Sequence, residues 1–423
     1  MAQVSLNLRA LQRMLIFAFI VMSPFQDFFL GATPLKVFGS SAAAFPLIAL
    51  GLLDLYQLAV SRRPVISRFF CFAFLYVILV TCLGIFLFGI QSQDTGLLYK
   101  MVTSTVIATA FYYPIFGVDY GNSQLIRRAV YVAAAICLLG FVFGRSNPFG
   151  IPSGLVENWI FHHSDPTDAR PRGFESESSV FGLYALCYGL LTVHFLKNNF
   201  LKVLAVFITF SVMIASGSRG AVLMLIPSVL FFTVTQIPHK RLRFVFGIAM
   251  CIAGIVGFVW LLPTMFSGDL AGSGLSATTR LTLQVAGIKC IVHYPLGVGM
   301  VGFFPALARQ IPDAINFVST RFPIPWDFSE VVTYIVTTTN ESAKTLLLDE
   351  SIRFGLPFLI AFFYFGFKVC AGLFRRNKMS LFFLTTGILI AFSTYTVIIA
   401  ASTLAIALGI AYRESGWPSK TIN

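Results

Sequence analysis

Long apolar runs alternate with short polar stretches along nearly the whole chain. Twelve runs, at approximately 14–31, 36–58, 69–90, 99–118, 128–144, 179–196, 200–216, 220–236, 244–264, 352–374, 380–396 and 398–412, come close to the length of helix that crosses a bilayer. They are continuously apolar and do not alternate residue by residue, so the pattern predicts helices and argues against a strand barrel. Inside hydrocarbon the backbone has no water to bond, and a helix closes its own hydrogen bonds. The expected fold is an all-α polytopic membrane protein, with residues 1–423 forming a single transmembrane helical domain of about twelve helices. Residues 380–412 read either as one long tilted helix or as two short spans turning near Ser393 and Thr394. The first run lacks a small-residue cleavage site and a second run follows at once, so no cleavable leader is expected.

Composition agrees with the pattern. Of the 423 residues, 57% are hydrophobic and only 11% are charged, where a soluble domain carries about 25% charged residues. The cysteines Cys71, Cys82, Cys137, Cys187, Cys251, Cys290 and Cys370 mostly lie inside apolar runs. They form no C-x-x-C pair and no cluster with histidine, so they read as small buried hydrophobes and no metal site is expected. The net charge is +13. Most of that excess sits in short loops between apolar runs, where it sets orientation and does not suggest nucleic acid.

With Arg9 and Arg13 taken as cytoplasmic, the even-numbered connections are the basic ones. They hold Arg62, Arg63 and Arg68; Arg127 and Arg128; Lys197 and Lys202; Lys240, Arg241 and Arg243; and Arg375, Arg376 and Lys378. That asymmetry predicts a cytoplasmic N-terminus. Two connections on the opposite side are long, at about 145–178 and 263–351. Loops of that length in a compact protein usually carry function. The larger is expected to be partly helical, with a helix over 281–293 that bears one apolar stripe.

Five stretches carry candidate chemistry. Arg219 stands in Ser216-Gly217-Ser218-Arg219-Gly220 between two apolar runs. An arginine at the centre of a membrane helix costs about 2.5–3.5 kcal/mol, so one placed between spans must face protein, water or an anion. The small residues around it let backbones approach and expose amide groups. The first long loop ends with Arg170, Arg172, Glu175 and Glu177. A guanidinium fork suits a diphosphate, and a carboxylate can take a proton from an attacking hydroxyl. A solvated loop with internal ion pairs is the plain alternative for these four residues. Arg280 follows Thr278 and Thr279, either of which would cap the coming helix and place Arg280 in its first turn, where anions bind. An interfacial helix with one charged anchor is the alternative. His293 precedes Tyr294-Pro295-Leu296-Gly297-Val298-Gly299, a proline and glycine segment suited to a tight turn, and a packing role for this histidine is the simpler reading. The loop closes through Asn340, Glu341, Lys344, Asp349, Glu350 and Arg353, as a short helix leading into the tenth span. The sequence does not rank these last charged residues.

These residues resemble the O-antigen polymerase and O-antigen ligase superfamily of bacterial inner-membrane glycosyltransferases. The turn around Arg219 is similar to that family's small-residue-plus-arginine turn. Arg280 followed by His293-Tyr294-Pro295-Leu296-Gly297-Val298-Gly299 is similar to its arginine, proline and glycine segment, and Arg172-Gly173-Phe174 running into Glu177 resembles a segment of many polymerases. The resemblance covers 172–355 in the family's order. It implies undecaprenyl-diphosphate-linked oligosaccharide as donor and acceptor, membrane lipid around the spans, and an active site facing the periplasm. It implies no cofactor: neither a metal nor a nucleotide sugar. A chain-length regulator stays open as a partner.

On this resemblance Arg219, Arg280 and Arg172 would hold the diphosphate, Glu177 would act as base, and His293, Arg170 and Asn340 would support them. Ligases of the family place a histidine beside an asparagine near the end of the large loop. Here that neighbourhood reads Thr339-Asn340-Glu341, and 313–353 contains no histidine. A polymerase is therefore the expected activity, with a ligase as the alternative. A secondary transporter is the rival from another class, but its usual short outer loops and internal repeats are missing from this sequence.

Overall fold

The computed structural model describes residues 2–25, 42–61, 68–89, 111–146, 178–216, 239, 242, 245, 275–321, 326–337, 342–394 and 401–417. Every regular element among them is helical. In chain order these are α1 (Ala2–Met22), α2 (Ala44–Ser61), α3 (Arg68–Phe88), α4 (Ser123–Ser146), α5 (Ser178–Phe195), α6 (Asn199–Ala215), α7 (Leu275–His293), α8 (Gly299–Arg321), α9 (Ser329–Thr337), α10 (Leu346–Arg375), α11 (Met379–Thr394) and α12 (Ala401–Glu414).

Local chemistry sets many of the boundaries. Asn198 caps α6 by accepting the Phe200 amide at 2.8 Å, and Asn122 accepts the Leu125 amide at 3.1 Å at the start of α4. Helix α1 ends at Met22, ahead of Pro24, so the first apolar run is not one continuous helix over 14–31. Helices α4 and α10 are long and apolar enough to cross a membrane, and shorter apolar helices accompany them. Phe200, Val203 and Phe207 on α6, and Ile360, Phe363 and Phe367 on α10, form exposed apolar stripes at helical spacing. Such surfaces suit lipid contact and fit a membrane protein.

Two apolar cores organise the chain. The larger joins α1, α2, α4, α5, α10, α11 and α12 around Phe19, Tyr184, Tyr188, Phe382 and Phe392. The smaller joins α7, α8 and α9 to the start of α10 through Leu283, Cys290, Phe303, Leu307, Ile311, Val331 and Ile352. Helix α8 was not expected from the sequence, because Pro305 and Pro312 lie inside it. Its apolar residues Phe303, Leu307, Ile311, Ala314 and Val318 nevertheless recur at helical spacing, and all are buried.

One end of the larger bundle gathers the basic connections. Lys378 at the start of α11 pairs with Glu414 at the end of α12 at 3.5 Å, so these two helices run antiparallel as a hairpin. That resolves 380–412 into two helices. Arg413 pairs with Asp119 at 2.6 Å just before α4. His194 at the end of α5 lies within electrostatic reach of Glu414, Lys378 and Lys202. Three connections that the charge pattern assigns to one side of the membrane therefore meet at one end of the fold.

The smaller core meets the larger through a backbone crossing. The turn from α7 to α8, Tyr294–Gly299, packs against α3 and against a break in α10. Gly297 and Gly299 take positive φ of 86° and 66°, and Gly355 in α10 has φ 68° and ψ −166°. Pro357 follows two residues later and cannot donate to the helix ladder. The freed backbone groups find partners in the turn. The Val298 amide donates to Ile352 O at 3.0 Å, and the Leu356 amide donates to Pro295 O at 2.7 Å. The Tyr76 hydroxyl from α3 reaches both Leu296 O (3.0 Å) and Phe354 O (2.8 Å). Gly299 lies against Thr81 and Val80, about 10 Å below the C-terminal end of α3 at 1.5 Å per residue. Irregular backbone is tolerated beside a predicted span because each of these groups bonds within the protein.

Candidate functional site

Helix α7 begins at Leu275, several residues before the expected start. Nothing after Gly274 interrupts helix formation, so Thr278 and Thr279 are not caps. Both are buried inside the helix, and the Thr279 hydroxyl donates to Glu330 Oε2 at 2.6 Å. Arg280 consequently sits in the second turn, and its side chain is exposed. The Thr279 bond brings Glu330, in the first turn of α9, to the residue next to Arg280.

The segment before α10 closes over the same part of α7. A side chain added at Gly287 would come within 2.9 Å of Ala343 Cβ, so Ala343 rests directly on α7. The Asp349 carboxylate holds this segment down. It accepts the Ser342 hydroxyl at 2.6 Å and the Ala343 amide at 2.6 Å. The Lys344 amide donates to Ser342 Oγ at 2.9 Å, and Thr345 caps α10 by accepting the Leu348 amide at 3.2 Å. Between these anchors Lys344 is held at φ 60°, a conformation that residues other than glycine rarely adopt. Its half-buried side chain lies within electrostatic reach of Glu330, Arg280 and Asp349. Burial lowers the Lys344 ammonium below the ordinary lysine range, Glu330 and Asp349 oppose that shift, and Arg280 adds to it.

Beneath this surface lies a buried charged layer. Arg353 and Glu350 pair at 2.5 Å, with side-chain exposures of 8% and 3%. The Arg353 guanidinium also stacks 4.5 Å from the centre of the Phe303 ring. The Tyr112 hydroxyl donates to Glu350 Oε2 at 3.5 Å. Asp349, Glu350 and Arg353 thus point inward, while Lys344 and Arg280 occupy the rim.

His293 ends α7 about 20 Å along the helix from Arg280. It is exposed, and its Nδ1 lies 3.0 Å from Lys289 O one turn earlier. The structure does not bring it to Arg280. Arg170, Arg172, Glu177, Arg219 and Asn340 lie outside the described residues. Sequence reasoning did not single out Glu330 or Lys344. The serine, threonine and aspartate spacing around Lys344 was a usable signal, since such residues fold a loop onto a helix start.

The comparisons with known proteins bear on this region. Residues 204–326 match the family described as O-Antigen ligase, a segment that includes most of α6, all of α7 and α8, and Arg280. The chain is also 24% identical over 374 residues to an "Uncharacterized 49.5 kDa protein in cps region" of Klebsiella pneumoniae, covering 87% of this chain and 84% of the relative. Together these findings support the O-antigen polymerase and ligase superfamily of membrane-integral bacterial proteins. They point to an O-antigen ligase or polymerase type of function.

Proposed function

We propose that the chain is a polysaccharide repeat-unit polymerase, a metal-independent glycosyltransferase of the bacterial inner membrane. It joins undecaprenyl-diphosphate-linked oligosaccharides at the periplasmic face. The observation that carries this reading is the position of Arg280, which lies in the segment matching the ligase family and is exposed beside Glu330 and Lys344. An acceptor sugar hydroxyl attacks the donor's anomeric carbon. The new carbon–oxygen bond forms as the bond from that carbon to the diphosphate oxygen breaks, and undecaprenyl diphosphate leaves with the electron pair. Cationic side chains stabilise the negative charge that develops on the leaving oxygen. Arg280, Arg219 and Arg172 take that role, and Glu177 receives the proton of the attacking hydroxyl. Arg170 and Asn340 support the same site. Inversion at the anomeric carbon follows from a single displacement.

The basic connections at one bundle end support the orientation, since they belong on the cytoplasmic side. The absence of histidine from 313–353 favours a polymerase over a ligase that passes glycan to the lipid A core. Deleting the gene separates the two on a lipopolysaccharide gel. Core carrying a single repeat unit supports the polymerase, bare core supports the ligase, and an unchanged pattern overturns both.

A further inference from the structure

We propose that Lys344 is a second substrate-contacting cation: with Arg280 it forms a two-pronged grip on the diphosphate of the lipid carrier, and Glu330 orients both prongs. This rests on the glycosyltransferase reading above and adds to it a residue from a separate part of the chain.

Three independent contacts place Lys344 at this rim. Thr279 ties Glu330 to the residue preceding Arg280. Ala343 rests on α7 at Gly287, two turns further along. Asp349, Ser342 and the Thr345 cap then fix the backbone on either side of Lys344. A positive φ at a lysine is unfavourable unless the surroundings enforce it, and such strain concentrates where a side chain has to be aimed. Among the described residues, Lys344 and Arg280 lie within electrostatic reach of each other, with Glu330 and Asp349 as their nearest carboxylates. A diphosphate offers oxygens on two phosphorus centres, which suits two separately anchored cations. A guanidinium provides a fixed fork and an ammonium a compact point charge.

The other charged residues of the same segment are excluded by burial. Asp349 is spent on the Ser342–Ala343 clasp, and Glu350 and Arg353 neutralise each other below it. Of the residues 342–353, only Lys344 presents charge at the rim beside Arg280.

The test uses full-length purified protein in detergent, with inorganic pyrophosphate as probe and unfolding temperature as readout. Pyrophosphate is expected to stabilise the wild type and Lys344→Arg. Lys344→Ala is expected to bind it about tenfold more weakly, as for the loss of one charge-assisted bond. Lys289→Ala, on the far half of α7 where the lysine pairs with Asp313 of α8, should behave as wild type. Lys344→Gln replaces the alanine variant if the latter does not accumulate. Stabilisation of Lys344→Ala equal to wild type, or no stabilisation of the wild type, overturns the proposal. Equal stabilisation by monophosphate overturns the diphosphate assignment in favour of a lipid headgroup site. Cellular glycan ladders then separate the two readings. If deletion or Arg280→Ala abolishes long chains while Lys344→Ala keeps them at normal abundance, the grip fails and the polymerase stands. If deletion changes no glycan while pyrophosphate binding depends on Lys344, the polymerase fails and the grip stands.

Discussion

Gly297 and Gly355 meet backbone to backbone, with no room for a side chain on either. A Cβ on Gly297 would lie 2.5 Å from Arg353 O and 2.6 Å from Gly355 N, and one on Gly355 would lie 2.5 Å from Gly297 N. Both residues also hold positive φ. Gly297→Ala or Gly355→Ala should destabilise the protein by more than about 2 kcal/mol, through strain and overlap together. Gly51→Ala is the matched control: its Cβ would meet nothing within 4 Å, and alanine favours a helix. Thermal unfolding in detergent should show a large drop for the first two and none for the third.

The two candidate residues on α7 should separate in function. Arg280→Ala should lower polymer formation by about a hundredfold or more, as for removal of a donor to a developing anion, with the protein still inserted. His293→Ala should leave glycan ladders unchanged and stability within about 0.5 kcal/mol of wild type, because among the described residues this exposed ring meets only Lys289 O one turn earlier and the adjacent Tyr294 ring. Short chains from a well-expressed His293→Ala variant would show that the histidine reaches substrate after all.

Glu350 and Arg353 should behave as a unit. Removing one partner leaves a buried charge uncompensated, so Glu350→Ala or Arg353→Ala alone should cost about 3–5 kcal/mol. The double variant should lose clearly less than the sum of the two. Denaturation of the three variants in one detergent gives that coupling, and strictly additive losses would show that the pair is not interacting.

Alkaline pH should weaken the enzyme through Lys344. Its ammonium faces Arg280 on α7, Glu330 on α9 and Asp349 on α10, and burial lowers its affinity for the proton. The cationic form therefore persists to a lower pH than in an ordinary lysine, whose value is 10.5. Activity should decline on the alkaline side below that value. In Lys344→Arg the decline should move upward, since arginine stays charged throughout this range. An alkaline limb that is identical in the two proteins would assign it to another group.

The sequence disclosed helices more readily than their pairing. Apolar runs placed α3, α5, α6 and α11 within a few residues, since an apolar run has to begin and end where the lipid does, while α10 starts at Leu346, ahead of its run at 352. Helix α8 was hidden because proline is read locally, while burial of Phe303, Leu307 and Ile311 outweighs two missing donors. The Pro295–Gly299 motif was visible, but its purpose was not. A glycine at positive φ signals a turn, and nothing local tells that its missing side chain admits a strand of backbone from residue 355. The same limit applied to Lys344, whose neighbours in space come from residues 280 and 330.

The Tyr76 hydroxyl has consequences for biosynthesis. Its acceptors lie 220 and 278 residues further along the chain. While the ribosome is still making that stretch, α3 waits in the membrane with this hydroxyl unanswered by its final partners. The α7–α8 turn likewise cannot close before residue 356 has emerged, because Val298 and Leu356 complete each other's crossing. A chain cut short ahead of that point lacks the backbone crossing that joins the smaller core to α3 and α10, which makes this junction one of the last parts of the fold that synthesis can complete.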